Sequence, residues 1–161
     1  MAAEEQTGRI TPYILRETIV SAAINGVIGA LFFFAVFGAA GRVTVAGWGG
    51  YATDFLPQSG AVALMACLVP AMIARRAQRT GRLATGSEGL LAMPWLLRAA
   101  LVALLFGLLL GAAIAHLWLR SGMATLDWPP ALIIQMFYGA ALGAIVTFRV
   151  LRRTVGGTAL I

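Results

Sequence analysis

The feature that most constrains this chain is the absence of charge over four long intervals: between Glu17 and Arg42, Asp54 and Arg75, Arg98 and Arg120, and Asp127 and Arg149. A hydrocarbon layer about 30 Å thick is crossed by roughly 20 residues of α-helix rising 1.5 Å each, and every interval is at least that long. The spacing predicts helices over about residues 13–39, 55–76, 94–119 and 129–152. A membrane-spanning β-strand needs only about ten residues and alternates apolar with polar; these runs do not alternate. Composition agrees, with 60% of the 161 residues hydrophobic and 11% charged, against roughly a quarter charged in a soluble domain. The expected fold is an all-α integral membrane protein, one four-helix transmembrane domain over residues 1–161.

The first segment has a rival reading as a secretory signal, with Gly38-Ala39-Ala40 as its cleavage site. Its apolar stretch is longer than an h-region of about 7–15 residues, and Glu4 and Glu5 precede it, so an uncleaved span is expected.

Orientation follows from arginine, which supplies all twelve basic residues. Arg9 and Arg16 precede the first run; Arg75, Arg76, Arg79, Arg82 and Arg98 occupy the central loop; Arg149, Arg152 and Arg153 follow the last. The other two loops hold only Arg42 and Arg120. Short arginine-rich loops stay cytoplasmic, so both termini are expected inside. Trp48, Tyr51, Trp118 and Trp128 would form the outer aromatic belt, with Tyr13 and Trp95 at the inner one. The formal charge of +6 thus reads as topology rather than nucleic-acid binding. Arg75, Arg76, Arg79, Arg82, Arg152 and Arg153 are expected to meet anionic lipid headgroups or a partner protein. Arginine as the sole basic residue, with abundant Ala, Gly and Leu, suggests a bacterial cytoplasmic membrane.

The two halves, about 12–76 and 94–153, resemble each other. Pro12-Tyr13-Ile14-Leu15-Arg16 is echoed 82 residues on by Pro94-Trp95-Leu96-Leu97-Arg98, and Gly29-Ala30 by Gly111-Ala112. Asp54-Phe55-Leu56-Pro57 is echoed 73 residues on by Asp127-Trp128-Pro129-Pro130, and each half ends in paired arginines. The drop in offset assigns about nine extra residues to the Gly-rich first outer loop. The pattern predicts two tandem hairpins of the same orientation, related by an axis along the membrane normal, as from an internal duplication.

Between helices in lipid, close packing and polar contacts replace the hydrophobic drive. Small residues recur at four-residue spacing: Ala22, Gly26 and Ala30; Gly107, Gly111 and Ala115; Gly139 and Gly143. With Gly29 they mark seams within the chain or against another subunit. Asn25 and Gln135 are intramembrane amides expected to make buried polar contacts. Asp54 and Asp127 fit helix N-caps, each followed by a first-turn proline. A functional alternative groups them with Arg42, His116 and Arg120 in an outer polar ring that binds a cation, a solute or a partner loop. Glu17 is expected to pair locally with a neighbouring arginine at the inner border.

One histidine and one cysteine, Cys67, give no intrachain disulfide and no His or Cys metal cluster. No nucleophile, zinc or nucleotide motif is present, so an enzyme is not expected and no cofactor is evident. The leading expectation is a non-catalytic accessory or assembly subunit of a larger membrane complex. Its alternative is a small homo-oligomeric transporter or channel, and a third reading is a lipid- or pigment-binding helper.

Overall fold

The computed structural model of the chain describes residues 2–39, 41–80 and 93–155. Four helices dominate: α1 (Ala2–Phe37), α2 (Tyr51–Arg79), α3 (Met93–Arg120) and α4 (Trp128–Val155). Each contains a stretch long and apolar enough to cross a membrane: Thr11–Phe37, Tyr51–Ala77, Pro94–Arg120 and Trp128–Arg153. The chain is a helical membrane protein. At 1.5 Å per residue these stretches reach about 40 Å, enough for the hydrocarbon layer and part of both headgroup zones.

The helix ends have local causes. Gly38 closes α1 with φ of 67°, and its N–H donates to the Phe34 carbonyl at 3.0 Å, a left-handed cap that lacks a Cβ penalty only in glycine. After α3 the Ser121 N–H donates to the Leu117 and Trp118 carbonyls, and Gly122 behind it takes φ of 71°. Pro129 and Pro130 fall in the first turn of α4, where a missing N–H costs no helical bond.

Two three-residue strands, β1 (Arg42–Thr44) and β2 (Thr125–Asp127), join the α1–α2 and α3–α4 connections in an antiparallel ribbon. Arg42 lies opposite Asp127, Val43 opposite Leu126 and Thr44 opposite Thr125. The Arg42 Nε donates to Asp127 Oδ1 at 3.2 Å in the open. Strands this short carry no periodic signal, and both connections read as plain loops in the sequence.

The hairpins are interleaved. The broadest packing is α1 on α4 and α2 on α3, with α2 on α4 at the centre; helices joined by a ribbon strand barely touch. Depth runs in step along these seams: Gly29 meets Gln135 and Asn25 meets Gly143, while Gly111 meets Phe55 and Gly107 meets Ser59. Both seams are therefore antiparallel. The flanking helices α1 and α3 leave apolar rows exposed, among them Leu101, Leu105 and Leu109, as suits a surface solvated by lipid.

Four buried clusters lie along the bundle among the described residues, one of them Val45, Ala52 and Ala115. Near the ribbon, Phe33, Tyr51, Phe55 and Ala131 are fully buried. Val62, Ala63, Cys67 and Leu142 fill the middle, and Ile14, Ala74 and Leu151 the arginine-rich end.

The structure changes three expectations. The first concerns helix lengths: α2 begins at Tyr51 rather than near residue 55, which carries Asp54 one turn inside the helix. Asp127, by contrast, ends β2 just before α4. The matching Asp-x-x-Pro sequences therefore occupy different structural positions. The helices they introduce begin 77 residues apart, at Tyr51 and Trp128, and the surplus in the first connection is residues 45–50. The third change is Tyr51 itself, expected in the interfacial belt but fully buried, because helix α2 turns its ring inward against Phe55 and Trp118.

Candidate functional site: a polar ladder through the bundle

Three polar side chains meet where α2 and α4 lean together. Asp54 and Gln58 are four residues apart on α2 and share a face; Gln135 projects from α4 between them. Asp54 is 6% exposed, and both glutamines are fully buried. The Gln135 Nε2 donates to Asp54 Oδ2 at 2.5 Å and also to Gln58 Oε1. The Gln58 Nε2 in turn donates to the Gln135 carbonyl at 3.5 Å. Donation to two acceptors fixes the Gln135 amide, leaving its Oε1 buried and without a hydrogen-bond partner. Asp54 is the buried carboxylate among the described residues, and burial of such a group is expensive unless it is bonded or neutralised.

Room for this centre comes from α1. A Cβ at Gly29 would lie 2.9 Å from both the Gln135 carbonyl and the Gln58 Nε2, so no larger residue fits there without displacing the centre. Toward the ribbon, Tyr51 donates to the Ala131 carbonyl at 2.9 Å. Its ring packs edge-on against Phe55 and Trp118, with centroids 5.2 and 5.1 Å away, forming an aromatic plug above Asp54.

From the centre, polar groups continue down the α4 face. Ser59 Oγ and Tyr138 OH lie 2.6 Å apart. Asn25, 3% exposed, follows against Gly139 and Gly143, its Nδ2 donating to the Ser21 carbonyl at 2.8 Å and to Ser21 Oγ at 3.1 Å. Ser21 Oγ and Thr147 Oγ1 are 2.6 Å apart, and Thr147 donates to the Ala66 carbonyl at 3.1 Å. From Gln135 to Thr147 is three helical turns, about 18 Å. Asn25 Oδ1 is a second buried acceptor without a hydrogen-bond partner. The ladder ends at a groove of about 110 Å³ between α1 and α2, whose walls include Glu17, Ser21, Asn25 and Pro70.

The structure puts the sequence-predicted residues in several places. Asn25 and Gln135 both lie on the ladder. The six glycines all sit in seams within the chain: Gly26, Gly29, Gly139 and Gly143 between α1 and α4, and Gly107 and Gly111 between α2 and α3. The approaches are close; a Cβ at Gly107 or Gly111 would come within 2.5 Å of a carbonyl oxygen of α2. The outer ring is not assembled as expected. Arg42 and Asp127 pair, His116 and Arg120 are exposed on α3, and Asp54 turns away into the bundle. The physical reason is the early start of α2, which hands Asp54 the buried Gln135 amide as its partner. Of the arginines expected at headgroups, Arg76, Arg79, Arg152 and Arg153 are exposed and Arg75 half-buried; Arg82 lies outside the described residues.

Gln58, Ser59, Ser21, Tyr138 and Thr147 were not anticipated. The available signal was Gln58 four residues after Asp54, a polar pair on one helix face opposite another intramembrane glutamine. As the last charge before an apolar run, Asp54 reads as a span boundary, and that position hides the pair.

Fold and ladder together define a polytopic helical membrane protein with a polar interior. Comparison of the chain with protein-family models, curated proteins and solved structures finds no match.

Proposed function

We propose that the protein is a small proton-linked carrier in which Asp54 is the protonation site. The observation that carries this reading is the burial of Asp54 against Gln58 and Gln135, at the head of a polar ladder reaching the Glu17 groove. Ionisable groups inside membrane spans are costly and mark ion or proton pathways; Asp54, with amide donors and a carboxamide acceptor beside it, can hold or release a proton without leaving the bundle. Gln58, Gln135, Asn25, Ser21 and Thr147 would position the solute or water that accepts it.

A subunit role drew its support from the small-residue stripes. All six of those glycines serve seams inside the chain, so that support passes to folding. The subunit reading returns if the purified protein moves nothing. The carrier reading sits in a bacterial cytoplasmic membrane with the arginine-rich end inside. An ancestral duplication also accounts for the packing: exchanging the halves exchanges α1 on α4 with α3 on α2, and maps β1 onto β2.

The test is dissipation of an imposed pH gradient in proteoliposomes with an entrapped pH dye. Wild-type protein should collapse the gradient at least tenfold faster than empty vesicles, and Asp54→Asn, which preserves shape and one acceptor, should fall to the empty-vesicle rate. Equal rates for wild type and Asp54→Asn, or no flux above empty vesicles, would sink the proposal.

A further inference from the structure

Because α3 and α4 barely pack against each other, they leave between them a groove of about 400 Å³, larger than the one between α1 and α2. Its two ends differ in chemistry. Arg98 of α3 and Arg149 and Arg153 of α4 line it at the arginine-rich end, the latter two four residues apart on one helix face. Val102, Phe106 and Ile145 continue it as an apolar trough. Among the described residues, no acid lines it. The groove between α1 and α2 is the contrast: Glu17 lines that one, where the residue 82 positions on in α3 is Ala99. One groove thus carries three cations above an apolar channel, and its counterpart carries an acid.

We propose that the α3–α4 groove binds one anionic phospholipid, its phosphodiester held by Arg98, Arg149 and Arg153 and an acyl chain lying along Val102, Phe106 and Ile145. Charge complementarity selects the headgroup. Guanidinium donors match phosphate oxygens in pairs, and two of the three sit one turn apart on the same helix. Length selects the tail: from Arg98 to Phe106 the helix rises about 12 Å, the depth of much of one leaflet. The groove employs a different arginine set from the one sequence position suggested, sharing only Arg153 with it.

Native mass spectrometry of the full chain in mild detergent, titrated with phosphatidylglycerol or phosphatidylcholine, tests this. One phosphatidylglycerol should bind at least tenfold more tightly than phosphatidylcholine. Arg98→Gln/Arg149→Gln/Arg153→Gln should lose that preference, while Arg16→Gln/Arg76→Gln/Arg79→Gln, with the same change in net charge, should keep it within twofold. Val102→Trp, at an exposed trough position, should weaken binding tenfold with every arginine in place. Arg98→Lys/Arg149→Lys/Arg153→Lys should keep the preference for phosphatidylglycerol but bind it severalfold more weakly, because the charge stays and the paired donors are lost; this separates lost charge from lost fold. Equal weakening by both glutamine triples would show unspecific attraction and overturn the proposal. So would undiminished binding to Val102→Trp, or displacement of the lipid by millimolar inorganic phosphate.

Discussion

Asn25 lies against Gly143 so closely that a Cβ on the glycine would come 2.5 Å from the Asn25 Nδ2 and 2.7 Å from its Cβ. The same helix pair tolerates more one turn away, where a Cβ at Gly26 would meet Ala140 Cβ and the Met136 carbonyl at 3.5 Å. Gly143→Ala should therefore cost about 1–3 kcal/mol by overpacking. Gly26→Ala should be neutral or gain about 0.5–1 kcal/mol from reduced chain entropy. Reversible unfolding in mixed detergent micelles compares the two, and equal effects would contradict the seam geometry.

Removing the central donor should be worse than removing the charge. Gln135→Leu leaves Asp54 and Gln58 facing apolar surroundings, at a cost of about 1–3 kcal/mol for stranded buried polar groups. Asp54→Asn keeps an acceptor for the Gln135 amide and should cost less than half as much. The expected order in thermal unfolding is wild type, Asp54→Asn, then Gln135→Leu. An inverted order would mean the amide is not the bridging group.

Thr147 bridges α1 and α2 from α4 through Ser21 Oγ and the Ala66 carbonyl. Hydrogen bonds between membrane helices average about 0.6 kcal/mol and reach about 1.7. Thr147→Val should fall in that range, and Ser21→Ala should cost less in its presence than alone. Strict additivity in the double-mutant cycle would show that the two hydroxyls act independently.

The ribbon offers a geometric check. Thr44 and Thr125 are directly opposed and exposed, and directly opposed antiparallel residues have Cα atoms about 4.5–5.5 Å apart, within reach of a disulfide. In a Cys67→Ala background, Thr44→Cys/Thr125→Cys should oxidise within one chain, giving a compact band on a non-reducing gel. Trp48→Cys/Thr125→Cys should oxidise far more slowly. A membrane-impermeant thiol reagent applied to the reduced pair also reports which side of the membrane the ribbon faces.

The spans were legible because bilayer thickness imposes a length on charge-free sequence that few other structures need. The glycines were legible as packing positions because close helix approach in lipid has no other common source. What they packed against was not legible: tandem hairpins suggest that α1 should pack on α2, and nothing in the local sequence says that it chooses α4 instead. Asp54 shows the limit most clearly. As the last charge before an apolar run it looks like a boundary, and only the burial of Tyr51 and the partner at Gln135, 81 residues away, reveal it as interior. Spacing along one chain places residues on faces; it does not say which face meets which.

The β1–β2 ribbon ties both helix connections together at one end of the bundle, while among the described residues no strand pairing joins the helices at the opposite end. The two ends therefore hold the halves by different means. Parting them beside Arg42 and Asp127 would break a strand pairing and an ion pair, whereas at the arginine-rich end, among the described residues, it would break the side-chain packing of Ile14 and Ala74 on Leu151.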